Sequence, residues 1–132
     1  MSREAVKPMK FRVPFRDIDM HGEMARSAYL AHAEEAVTAF WKRRPQAEND
    51  PHFRIGKIVS TFHKVLRLDD VVNMTVKVSK IGGKSAGFTV HMVRGEDAVA
   101  ETEIVLSACD LETKEPVALP EEIRDWLYQY FD

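Results

Sequence analysis

The sequence predicts an α+β domain in which one antiparallel sheet packs on a single long helix. Three observations predict it. An alanine-rich amphipathic segment lies near the N-terminus, four later segments of extended character are joined by short polar turns, and the chain has 132 residues. That length supports one domain with a real core, whereas two domains of half the size would each be marginal.

Composition narrows the function classes. An apolar fraction of 45% with 30% charged residues is ordinary for a globular protein, and a formal charge of -2 gives no general attraction to nucleic acid or anionic lipid. No apolar run approaches the ~20 residues that cross a bilayer, so neither a nucleic-acid partner nor a membrane span is expected. The single cysteine, Cys109, excludes a disulfide within the chain, and "MSREAVKPMK" lacks the apolar core of a secretory signal. A cytoplasmic location is the expectation.

Taken in order, "MKFRVPF" (9–15) reads as a short strand in which Pro14, lacking an N–H for the ladder, argues for an edge or a bulge. Ser27 caps a helix running to about Arg43, and "RRP" stops it because the residue before Pro45 is steered out of the helical region. At roughly 100° per residue, Tyr29, Leu30, Ala33, Ala36, Val37, Phe40 and Trp41 share one arc, the face to be buried. His32 and Glu34 border that arc on opposite sides, while Glu35 and Thr38 point away. Alanines at 28, 31, 33, 36 and 39 keep the helix thin, so a sheet can lie close or curl around it.

After a polar loop come "RIGKIVSTFHKVLRL" (54–68) and "VVNMTVKVSKI" (71–81), where Val72, Met74, Val76 and Val78 alternate with polar residues. Gly82 and Gly83 permit a two-residue hairpin turn into "KSAGFTVHMVR", and "GED" turns the chain into "AVAETEIVLSACDL". Pro120 opens a last helix with Ile123, Trp126, Leu127 and Tyr130 at helical spacing. The expected order is strand, long helix, four-strand antiparallel meander, short helix. Two free sheet edges on so small a domain favour an oligomer.

Chemistry concentrates in "FRDIDMHGEMARSAYLAHAEEA" (15–36). Period-two alternation at the strand exit would send Asp17 and Asp19 to one side. The plain reading makes them solvated loop carboxylates, with Asp19 or Ser27 as a cap. The functional reading notes that Gly22 lets the backbone turn tightly and that unpaired N–H groups gather where the helix begins. A carbonyl held there would be polarised beside a carboxylate.

The run "D-I-D-M-H-G" followed by "Y-L-x-x-x-E-E-A", with Gly22 and Tyr29 seven apart, resembles the opening signature of the hotdog-fold acyl-CoA thioesterases, within them the hydroxybenzoyl-CoA thioesterase-like group. "LRLDD", "VSKIGGKSAGFTV" and "VLSACDLETKEPVALPEEI" resemble later family segments in the same order. The resemblance implies a hotdog fold: a five-stranded antiparallel sheet wrapped around one long central helix, with a short C-terminal helix. It also implies a homodimer or homotetramer with its site at a subunit interface, an acyl-CoA substrate and no cofactor.

The resemblance makes Asp19, second of the Asp-x-Asp pair, the catalytic carboxylate, and puts Gly22 where the family's backbone polarises the thioester carbonyl. Asp17, His21 and Glu23 fall beside the substrate, and Tyr29 and Glu34 match helix residues that shape the site or brace the helix. Lys84 and Ser85, ahead of Lys80, are candidate contacts for the coenzyme A phosphates. The chain departs from the pattern at Glu23-Met24-Ala25-Arg26, where many relatives carry His-Val-Asn-Asn. An extra carboxylate thus sits near Asp19, with Arg26 able to offset it.

His21, His32, His52, His63 and His91 lack paired ligand spacing, so no metal site is expected. No Gly-x-Ser-x-Gly elbow, P-loop or dinucleotide fingerprint is present. The leading expectation is hydrolysis of an acyl-CoA or acyl-carrier thioester to free acid and thiol with Asp19 as nucleophile or general base, burial deciding between them. Its rivals are an acyl-CoA-binding module without turnover and, third, an acyl-CoA hydratase.

Overall fold

The computed structural model describes residues 8–44 and 50–131. Its elements are β1 (Met9–Arg12), a 3-10 turn (Phe15–Asp17), α1 (Arg26–Trp41), β2 (His52–Phe62), β3 (Val71–Ile81), β4 (Ser85–Arg94), β5 (Asp97–Cys109) and α2 (Glu121–Tyr128). The strands form one antiparallel sheet in the order β1-β3-β4-β5-β2, and α1 lies across β3, β4 and β5. The expected α+β architecture, one sheet on one long helix, is therefore present.

Side-chain alternation builds the core. Val72, Met74, Val76 and Val78 of β3 and Ala86, Phe88, Val90 and Met92 of β4 turn inward onto Tyr29, Ala33, Ala36, Val37 and Phe40 of α1. Glu35 and Thr38 are exposed, as the helical arc predicts; Leu30 and Trp41, expected on the buried face, are only partly covered, and Glu34 on its border is exposed. Where the alanines face the sheet, no long side chain holds the layers apart.

The meander is the main correction. β3, β4 and β5 follow one another, but β2 pairs with β5 along the opposite edge, from His52↔Cys109 to Phe62↔Ala100. The competing edge of β3 is taken by β1 at residues 71–74 and by the Val78↔Phe131 bridge. The edge left for β2 is that of β5.

Local ends also differ from the sequence reading. α1 begins at Arg26 with Ala25 at the N-cap and no side-chain cap, so Ser27 lies inside the first turn. The helix ends at Trp41, and Pro45 lies outside the described residues. β2 stops at Phe62, short of residue 68, because His63 and Lys64 both donate their amides to Val99 O. Asp69 then takes a positive φ of 68° while the Asp70 carboxylate accepts the Arg67 amide at 2.8 Å, closing a turn. The β3–β4 turn is centred on Gly83 and Lys84, since Gly82 N donates to Ser85 O at 2.8 Å, and neither glycine needs positive φ. Pro14 lies just beyond β1, which is an edge strand.

Candidate active site

The chain from Asp17 to Ala25 folds back on itself. Ala25 N donates to Asp17 O (2.8 Å), Ile18 bridges Met24, Asp19 N donates to Glu23 O (2.8 Å) and Gly22 N donates to Asp19 O (3.1 Å). The result is a small hairpin with Asp19 beside its tip. Gly22 has φ +78°, a conformation that strains any residue with a Cβ, so the tip depends on glycine. Because this segment is not a continued strand, Asp17 and Asp19 do not share the face that alternation predicts; each has its own partners.

The Asp19 side chain bends back onto its own backbone. Its Oδ1 accepts the amides of His21 (2.8 Å) and Glu23 (3.1 Å). These amides, Glu23's first, hold the carboxyl below its ordinary value of 3.8; the charges of His21 and Arg26 add to them, and slight desolvation opposes. Oδ2 accepts no hydrogen bond among the described residues. One oxygen is anchored and the other is available.

The helix start lies next along the chain. With no side-chain cap on α1, the amides of Arg26 and Ser27 find no acceptor among the described residues. The Arg26 guanidinium lies over the Phe62 ring at 4.3 Å, which ties the helix start to the end of β2. The amide of Gly22 itself is spent inside the hairpin, as are those of His21 and Glu23. Among the described residues, the free donors near Gly22 are therefore the amide of Met20 at the tip and those of Arg26 and Ser27 at the helix start.

Other expected site residues sort by geometry. Asp17 accepts His32 Nε2 at 2.8 Å and has Arg16 Nε at 3.9 Å. His21 is exposed at the tip, and Glu23 reaches toward Arg67 at 4.0 Å. Tyr29 is wholly buried and presents no surface to a ligand: its hydroxyl accepts Leu66 N (3.1 Å) and donates to Lys64 O (3.4 Å), while Leu66 O holds Met24 N (2.8 Å). Of the two roles expected of it, shaping the site or bracing the helix, this burial and these bonds fit bracing, whereas direct substrate contact does not fit.

Glu34 lies midway along α1, on the border of a groove of about 840 Å³ between α1 and the start of β2. Val37, Trp41, Phe53, Ile55 and Leu106 form the groove's apolar lining, with Lys42 and Arg54 among its polar residues. Lys80, Lys84 and Ser85 sit at that end of the sheet too, where Arg54, Ser107 and Ser85 are paired in register across β2, β5 and β4. The Asp19 hairpin joins the other end, where β3 begins, since Val13 N donates to Asp70 O at 2.9 Å. Along β3 the two ends are roughly 30 Å apart at ~3.3 Å per residue. One chain therefore sets the carboxylate and the lysines at opposite ends of the sheet, while the groove opens from Glu34 toward the far end of α1.

A sequence profile of the thioesterase-like superfamily matches residues 13–127, nearly the whole described chain. The chain belongs to the thioesterase-like superfamily. As a member it is a thioesterase, an enzyme of the thioester-hydrolase class, and its fold is the hotdog fold. Among curated relatives, the acyl-CoA thioester hydrolase YbgC of Escherichia coli is 28% identical over 119 residues, covering 85% of this chain and 88% of the relative. Two solved structures share the superfamily architecture. The hypothetical protein SAV2348 from Staphylococcus aureus, solved in complex with CoA, has a TM-score of 0.86 at 15% identity, covering 100% of this chain and 89% of that one. Slr0204, a 1,4-dihydroxy-2-naphthoyl-CoA thioesterase from Synechocystis, has a TM-score of 0.80 at 13% identity, covering 92% and 94%.

Two features of this candidate site escape a sequence reading. His32 is legible as a residue on the border of the helical arc, but its bond to Asp17 arises only once the hairpin folds over α1. Arg54 and the groove residues carry no local motif, and they converge because β2 pairs with β5. Among the described residues, no group of three or more His, Cys, Asp or Glu could hold a metal ion, and no helix is long and apolar enough to cross a membrane.

Proposed function

We propose that this chain hydrolyses acyl-CoA thioesters with Asp19 as nucleophile, at a site completed by a second copy. The observation that carries the reading is the Asp19 carboxylate, anchored through Oδ1, open at Oδ2 and held ionised near an uncapped helix start. A carboxylate with lowered pKa is a poor base at neutral pH but remains fully available as a nucleophile. Oδ2 attacks the thioester carbonyl carbon, and the charge that develops on the carbonyl oxygen is met by the Arg26 and Ser27 amides. Collapse expels the thiolate, which leaves as the free thiol after taking a proton from water. Water then opens the mixed anhydride, giving the free acid and restoring the carboxylate. Gly22 serves by making the tip, and His21 and Glu23 by anchoring Oδ1.

The second copy follows from the molecule's two ends. The carboxylate is at one end and the apolar groove, with Arg54, Lys80, Lys84 and Ser85, is at the other. Two copies related by a twofold axis, with their α1 helices antiparallel, bring the hairpin of each to the groove of its partner. β2 supports this arrangement, since its outer edge is unpaired over eleven residues among the described elements and Ile58 and Val59 stay 37% and 41% exposed. In this reading the acyl group enters the partner's groove and the cations there meet the coenzyme phosphates. A homodimer, alone or within a tetramer, is the proposed unit, and the lone Cys109 fits a reducing cytoplasmic compartment.

A second reading, an acyl-CoA-binding module without turnover, draws on Glu23-Met24-Ala25-Arg26 standing where many relatives have His-Val-Asn-Asn. One assay separates the two. Wild type should release thiol from at least one member of a panel of aliphatic and aromatic acyl-CoA esters. Asp19→Asn should keep the fold and lose on the order of 10²-fold or more in kcat. Ligand-induced thermal stabilisation without thiol release would favour the binding module, and wild-type turnover by Asp19→Asn would reject Asp19 as nucleophile.

A further inference from the structure

We infer that His32 is the positioning residue that fixes the Asp19 hairpin on α1; the inference rests on the nucleophile reading of Asp19 above. His32 projects from the second turn of α1, and its Nε2–H donates to Asp17 Oδ2 at 2.8 Å across a sequence gap of 15 residues. A carboxylate oxygen accepts, so Nε2 carries the proton. Both side chains are largely shielded, at 12% and 16% exposure, which limits competition from water.

The imidazole is itself aimed. It stacks on Phe11 of β1 with ring centroids 3.9 Å apart and planes 7° from parallel, which fixes the ring plane that carries the donor. Asp17 is the first residue of the hairpin: its carbonyl takes the Ala25 amide, and Asp19 follows two residues later. Outside the hairpin, the backbone return strand is tied at Met24 N to Leu66 O. The His32 bond secures the other strand, the one that carries Asp19. A strand end, the hairpin and the helix thus meet at one ring.

A merely structural pair would lose stability when broken without moving the chemistry in particular. A positioning bond differs, because a shift of about 1 Å in the nucleophile costs up to roughly 10²-fold in rate while substrate binding in the partner's groove is spared. Two variants separate ring packing from the bond. His32→Phe keeps an aromatic ring for the Phe11 stack and removes the donor; His32→Gln keeps an N–H for Asp17 and removes the ring.

The experiment measures kcat and KM for both variants on the best thioester of the panel, with thermal midpoints and amide hydrogen exchange. His32→Phe is expected to fold, to lose about tenfold or more in kcat and to change KM by less than about threefold, with His32→Gln recovering most of the loss. Wild-type kcat in His32→Phe overturns the inference, as does a loss that His32→Gln fails to relieve. If wild type releases no thiol from any ester, the nucleophile reading falls and exchange alone judges the clamp. Faster exchange at the His21 and Glu23 amides of His32→Phe, with α1 still protected, supports it, and unchanged exchange there overturns it.

Discussion

At Asp19, two backbone amides on one carboxylate oxygen decide how the acid behaves. They favour the charged form more than slight desolvation opposes it, so the folded pKa lies below 3.8. The sign follows directly. The ionised form predominates at every pH above 3.8 and is lost as pH falls through the lower folded value. The stabilisation from these amide bonds shares that window, present above the unfolded value and lost on acidification through the folded one. The expected kcat/KM profile therefore has no acid limb from Asp19 between about pH 8 and pH 4.5. A limb centred near pH 6 that disappears in an Asp19 variant would instead indicate a base of raised pKa. The identities of Asp19 and Gly22 are legible in the sequence, because an Asp-x-Asp pair and a turn glycine before an amphipathic run are local signals. The direction of the pKa shift is not, since it depends on which amides the side chain meets.

Among the elements, α1 and the sheet show why local periodicity reads well and pairing does not. The 3.6-residue arc of α1 and the alternation of β3 are set by near neighbours in sequence, and both faces are buried as that spacing predicts. The partner of β2 is a non-local choice between two strand edges with similar apolar patterns, and it is decided by β1 and Phe131 occupying β3. The missed helix cap is a smaller case. Ser27 has the right chemistry, but the Ala25 amide is drawn to Asp17 and starts the helix earlier. The thin helix also makes a prediction. Ala33 is fully buried on the sheet-facing side of α1 and borders no cavity among the described residues, so Ala33→Leu pushes against a packed layer. Overpacking of this kind costs about 1–3 kcal/mol. Urea unfolding should show a lower midpoint with an unchanged slope, and stability equal to wild type would show that the two layers are not in close contact there.

Over the whole molecule, the Asp19 hairpin lies at one end of the sheet and the apolar groove opens toward the other. The hairpin end also exposes Phe15 (79%), Met20 (92%) and Leu68 (47%), apolar side chains that a neighbouring copy would cover. The sequence suggests an oligomer through its free edges, and the family resemblance implies an interfacial site. The proposed pairing of one copy's hairpin with the other's groove draws on β2 lying at the edge with the groove beside it, and neither is legible in the sequence.

Mixing two disabled chains tests this account most directly. Asp19→Asn removes the carboxylate, and Thr38→Trp, at an exposed groove position on α1, fills the acyl space without entering the core. Each variant alone should form folded dimers with little thiol release. Co-expressed, half of the dimers are mixed and each carries one intact site, so turnover should return to about a quarter of wild type. Mixed dimers, verified by differential tags, that stay as inactive as their parents would contradict a carboxylate from one copy acting on a thioester seated in the other.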